Sequence, residues 1–243
     1  MVFLLLILAT LATSIISGVL SMAGGMILMG VFIFVLSVPA AMVLHGIAQA
    51  FSNGSRVWLY RKHIKWRVLG HYAVGALLVL AAFATLAFVP DIGLVFILIG
   101  SFPFLAMMLP KSIDLDMERV PVAFGSGIAV TTAQMLAGAS GPVLDLFYVQ
   151  SKMSKEAILG TKAVTQTFGH ILKLLYYAAI MTVGSSELPI WVFPAVVAAA
   201  IIGNTIGAMI VAKMSDDQFQ QIGRKVILGI GVLYIAKGIL ELF

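Results

Sequence analysis

The chain has 243 residues, of which 61% are hydrophobic and only 10% charged, with a mean hydropathy of +1.10, no cysteine and a formal net charge of +5. The apolar excess excludes a water-soluble domain and marks a polytopic membrane protein, and the missing cysteines exclude disulfides and thiolate metal sites. The basic residues sit mostly in loops flanking apolar runs, which is the pattern of membrane orientation, so a lipid bilayer and no nucleic acid is the expected surrounding.

Segments that span lipid are helices or closed barrels, and the apolar runs here are near 20 residues long without the alternation of a barrel strand. The run at 2–20 lacks a Lys/Arg-rich start and continues past any small-residue cleavage point, so it reads as the first helix and not as a signal peptide. Further apolar segments lie near 26–36, 39–61, 66–89, 91–109, 119–137, 142–151, 155–181, 189–212 and 222–242. The expected fold class is all-α, a polytopic transmembrane helical bundle without a soluble domain. Segments 26–36 and 142–151 are too short to cross ~30 Å at ~1.5 Å per residue. Each follows a glycine-containing break, AGG at 23–25 and AGASGP at 137–142, and so reads as half of a broken or re-entrant pair.

That symmetry extends along the chain. Laying GIAQAFSNGSRVWLY (46–60) over AVTQTFGHILKLLYY (163–177) pairs Gln49 with Gln166, Phe51 with Phe168, Arg56 with Lys173 and Tyr60 with Tyr177, and the same offset of 117 pairs Gly24 with Gly141. We read two five-segment halves, 1–110 and 111–243, in one membrane domain. The loops 61–67 (RKHIKWR), 111–119 and 213–225 carry Lys or Arg, whereas 90–93 and 182–189 carry none, so the basic three are expected on the cytoplasmic side. Counting the short helices as legs, both termini lie outside and the two halves are inverted.

A helix broken at mid-membrane leaves its first N–H groups unpaired, and their partial positive charge suits an anion. Two such N-termini are expected around Gly24, Gly25 and Met26 and around Ser140, Gly141 and Val143; the competing reading is close packing of neighbouring helices. In 39–61 the polar residues His45, Gln49, Ser52, Asn53 and Arg56 share one helical face, and in 155–181 Thr161, Lys162, Thr165, Gln166, His170 and Lys173 trace a similar one. Polar groups facing lipid are costly, so both stripes point inward. Gln49, Asn53, Gln166 and His170 fall at mid-helix, the depth of the breaks. Arg56 and Lys173 read as anion-attracting groups on the two sides of one central site, against snorkelling for Arg56 and Lys162 and plain interhelical hydrogen bonding for the amides. Asp145 reads as a partner for a cation, a proton carrier or a cap for backbone N–H groups.

These features resemble the sulfite exporter TauE/SafE family of bacterial inner-membrane transporters. The resemblance rests on the glycine motif after the first helix (SMAGGMIL), the following helix ending in a basic loop with tryptophan (RVWLYRKHIKWRVLG) and the second glycine motif (AGASGPVLDL). It implies export of a small anionic solute, sulfite, an organosulfonate or a similar carboxylate. No cofactor is expected, and the oligomeric state is left open, a homodimer included. An inside-negative potential contributes about 2.3 kcal/mol per charge per 100 mV to anion efflux, so export needs no coupling ion, with proton coupling through His170, His45 or Asp145 left open. Two other classes compete. GASG at 138–141 matches the GxSG motif of rhomboid intramembrane proteases, with His170 as base for Ser140 and Trp66–Arg67 similar to a loop dipeptide of that family. That motif is short, the Ser-to-His spacing is shorter than that family uses, and proteolysis leaves the repeat unexplained. A non-transporting membrane scaffold has the same hydropathy but no need for polar groups at mid-membrane.

Overall fold

The computed structural model describes residues 1–20, 23–108, 115–148, 151–181, 188–211 and 216–242. Among them every regular element is an α-helix: α1 (Val2–Leu20), α2 (Ala23–Val35), α3 (Val38–Tyr60), α4 (Trp66–Leu86), α5 (Ile92–Met108), α6 (Val120–Ala137), α7 (Gly141–Leu146), α8 (Lys155–Met181), α9 (Val192–Val211) and α10 (Asp216–Leu242). The stretches Trp66–Leu86, Val120–Ala137 and Val192–Ile210 are long and apolar enough to cross a membrane on their own composition. The longer α3 and α8 carry the polar stripes instead. The outer surface is apolar, with Leu77, Leu78, Ile202, Met209 and Leu240 exposed, as lipid contact demands and water would not.

Five boundaries differ from the sequence expectation by three residues or more, among them the end of α4 at Leu86 and not near 89 and the start of α9 at Val192 and not near 189. α2 starts at Ala23, so Gly24 and Gly25 form its first turn and do not precede it. The segment expected at 142–151 is the short α7, with a turn at Phe147–Tyr148. α10 starts at Asp216 and not near 222. Residues 21–22, 109–114, 149–150, 182–187, 212–215 and 243 lie outside the described residues, and with them the end of the segment expected at 142–151 and parts of the loops expected at 111–119, 182–189 and 213–225.

Both short helices return from within the bundle. Gly24 lies against the Thr13 carbonyl and Ser17 of α1, and Gly25 against Gln49 in the middle of α3, so α2 begins deep in the bundle and runs back beside α1 for about 20 Å. In the second hairpin α6 ends on Gly138, whose φ of 74° is the left-handed cap that glycine adopts without strain, with its N–H donating to the Gln134 carbonyl at 2.9 Å. A Cβ there would also collide with the sulfurs of Met29 and Met42. A hairpin that returns starts and ends at one face, the same parity as two crossing legs.

The helices interlock across the chain. α1 packs along α9 and α4 along α6, while α3 faces α8 and α5 faces α10, pairs that change into one another when α1–α5 exchange with α6–α10. Glycines allow the backbones to touch: Gly18 meets Gly207 between α1 and α9, and in α5 and α10 Gly93 meets Gly238 while Gly100 meets Gly231, in antiparallel order. At one end of the bundle, Lys65 pairs with Glu118 at 3.5 Å and its N–H donates to Thr161 Oγ1 at 3.0 Å, gathering the 61–65 and 115–119 loops and the start of α8. At the other end the Tyr176 hydroxyl donates to the Phe88 carbonyl at 2.7 Å, and the rings of Phe3 and Trp191 stack edge to face.

Candidate functional site

The first turn of α2 and the turn between α6 and α7 meet between the midpoints of α3 and α8, and a small, partly open cavity lies there. The first turn of α2 contributes Gly25 and Met26, and α3 contributes His45 and Gln49. The second hairpin adds Ala139, Ser140 and Gly141, and α8 adds Gln166 and His170. Among the described residues the wall carries no carboxylate. The side-chain amides of Gln49 and Gln166 point to no hydrogen-bond partner among the described residues, whereas the other polar groups on the wall are held.

One network fixes the histidine of α8. Ser140 Oγ donates to Gln134 Oε1, and the Gln134 amide nitrogen donates to His170 Nδ1 at 2.6 Å. With Nδ1 accepting, the proton of the neutral ring sits on Nε2. Gln134 thus stands between Ser140 and His170, and among the described residues no hydrogen bond joins these two as a nucleophile and base would require.

A second network fixes the histidine of α3. Lys173 Nζ, fully buried, donates to the Gly138 carbonyl and to His45 Nδ1, both at 2.8 Å, and His45 Nε2 donates to the Gly25 carbonyl at 2.9 Å. This is a continuous chain from one hairpin turn to the other. The two imidazole rings lie 5.5 Å apart, tilted by 58°.

Arg56, which the sequence offset of 117 sets opposite Lys173, makes a corresponding contact elsewhere. Arg56 Nη2 donates to the Ser17 carbonyl at 2.9 Å and to Asn204 Oδ1 at 2.8 Å, and Asn204 Nδ2 donates to Ser55 Oγ at 3.1 Å. Ser17 is in the last turn of α1, and Gly138 caps α6, so each cation reaches the carbonyl end of the first leg of a hairpin. Carbonyls there lack intrahelical partners and carry the negative end of the helix dipole, which is where a cation is stabilised.

Of the residues expected from sequence, Gly25, Met26, His45, Gln49, Ser140, Gly141, Gln166 and His170 therefore surround one cavity. The other six lie off its wall. Gly24 is packed on α1. Asn53 Nδ2 donates to the Gln49 carbonyl, the Ser52 carbonyl receives Asn204, and Thr165 Oγ1 donates back to the Thr161 carbonyl. Arg56 and Lys173 hold the helix ends. Lys162, expected to snorkel, instead pairs with Asp145 in a largely buried contact, because α7 brings a carboxylate alongside it. Gln134 and Asn204 escaped the sequence reading; their only signal was a lone polar residue in an apolar run, which in a membrane helix asks for a partner.

The model of the family described as Sulfite exporter TauE/SafE matches residues 6–234. No curated protein and no solved structure matches the chain. With the family model spanning nearly its full length, from the first helix into α10, the chain belongs to the sulfite exporter TauE/SafE family.

Proposed function

We propose that this protein exports a small anion, either sulfite, an organosulfonate or a similar carboxylate, across the bacterial inner membrane by alternating access about the central cavity. One observation carries the reading: two glutamine amides from corresponding positions of α3 and α8 face a cavity free of carboxylates, with their hydrogen-bonding capacity unspent. Amide N–H groups, the His170 Nε2–H and the backbone N–H groups of the hairpin turns are all donors, and a desolvated oxyanion needs donors. The halves 1–110 and 111–243 act as inverted repeats that rock about this point, which agrees with the exchangeable packing of their helices. The bundle end bearing Arg61, Lys62, Lys65, Arg67 and Arg119 is cytoplasmic, and both termini are outside.

The test is uptake of radiolabelled sulfite, ethanesulfonate and a dicarboxylate into proteoliposomes of purified protein, beside a Gln49→Ala/Gln166→Ala variant. Saturable uptake of one of them, lost in the variant while its thermal midpoint holds, is the expected outcome. Uptake that the variant retains would remove the two amides from the site.

A further inference from the structure

The buried ammonium is unaccounted for by anion binding alone. Lys173 Nζ has two acceptors, the Gly138 carbonyl and His45 Nδ1, which is the number a neutral amine can serve; an ammonium has a third N–H and a full charge. The groups that face it offer no counter-ion. From α3 it meets His45, and from α6 the Gly138 carbonyl. On its own helix His170 lies one turn before and Tyr177 one turn after, with the Tyr177 hydroxyl spent on the Met135 carbonyl. α4, also packed on α8, brings Tyr72 against Gly169. Asp145 is three turns away along α8, paired with Lys162. A lone charge in so dry a place is unfavourable, and an anion in the cavity, on the other side of the His45 ring, is the counter-ion that removes the penalty.

We propose that the Lys173–His45 pair takes up one proton from solvent as the cavity binds its anion, so that anion and proton occupy the carrier together and cross together. The only bond formed is N–H at Nζ; the His45 Nε2–H stays on the Gly25 carbonyl. A monovalent anion then crosses without net charge, and a divalent one with a single negative charge. Because linkage is reciprocal, raising the proton concentration tightens anion binding by the same factor that the anion tightens proton binding. The proposal rests on the anion reading of the cavity.

The experiment is titration calorimetry of the detergent-solubilised protein with ethanesulfonate, which stays ionised at every working pH. It is run in Tris and in triethanolamine, cationic buffers of different ionisation enthalpy that do not compete for an anion site. The wild-type chain is expected to take up about one proton per ethanesulfonate bound, and Lys173→Met to take up none. Binding with the same heat in both buffers would overturn the proposal and leave the anion site standing. Binding of none of ethanesulfonate, sulfite and a dicarboxylate would overturn both. Proton uptake that persists in a folded Lys173→Met variant would remove the lysine from it; if that variant does not fold, the wild-type proton count still decides.

Discussion

Replacing Arg56 by methionine separates a structural from a ligand-binding role for the first of the two cations that reach a helix end. Its guanidinium makes hydrogen bonds of 2.9 Å to the Ser17 carbonyl and 2.8 Å to Asn204 Oδ1, tying the end of α1 to α3 and α9. Hydrogen bonds to a charged group contribute about 1.5–3 kcal/mol each, and removing this one donor leaves two acceptors unsatisfied. Relief of the partly buried charge offsets some of that, so we expect a net loss of about 3 kcal/mol. For a chain of this size that is a fall of about 6–12 °C in the unfolding midpoint, read by tryptophan fluorescence in detergent. The dissociation constant for the transported anion should change by less than about threefold, since Arg56 lies off the cavity wall. A midpoint within about 2 °C of wild type together with a tenfold or greater loss of affinity would refute the reasoning and return Arg56 to the anion path.

The adjacent glycines Gly24 and Gly25 should behave oppositely. A Cβ on Gly24 would run into the Thr13 carbonyl and Ser17 of α1, so Gly24→Ala should cost about 1–3 kcal/mol of stability by overpacking. A Cβ on Gly25 comes no closer than 3.5 Å to Gln49, so Gly25→Ala should keep its unfolding midpoint and lose anion affinity; equal midpoints for the two variants would contradict the placement of the hairpin. Ser140 is held by Gln134 and not by a histidine base, so a fluorophosphonate probe should leave it unlabelled, and covalent capture at Ser140 would revive the protease reading.

Most of the helical order was readable from the chain, because loops announce themselves by charge and the two hairpin turns by glycine. The midplane stripe on α3 and α8 was readable too, since a helix cannot turn Gln49, Gln166 or His170 to lipid without penalty. What was not readable is which partner each polar group takes. Arg56 and Lys173 read from the sequence as anion-attracting groups, with snorkelling the alternative for Arg56; that both also donate to backbone carbonyls at the ends of α1 and α6 is something no side-chain pattern reveals. Gln134 was overlooked for a similar reason: its importance lies in standing between Ser140 and His170, a relation between α6, α8 and the turn before α7 that exists only once the bundle has closed.

The packing of α1 on α9 also has a consequence for how the protein is made. α1 leaves the ribosome long before its partner, which does not begin until Val192, so α1 must wait in the bilayer beside lipid while the residues between them are still being synthesised. Two hydroxyls of α1 that end up buried in the bundle are provided for during that interval: Thr10 Oγ1 donates to the Leu6 carbonyl and Thr13 Oγ1 to the Ala9 carbonyl, each at 2.7 Å within the helix itself. α4 has a shorter wait, for α6. α1, α3, α4 and α5 each pack on a helix that lies after α5 in the chain, so a ribosome that stops at the end of α5 releases a fragment whose seams are still open.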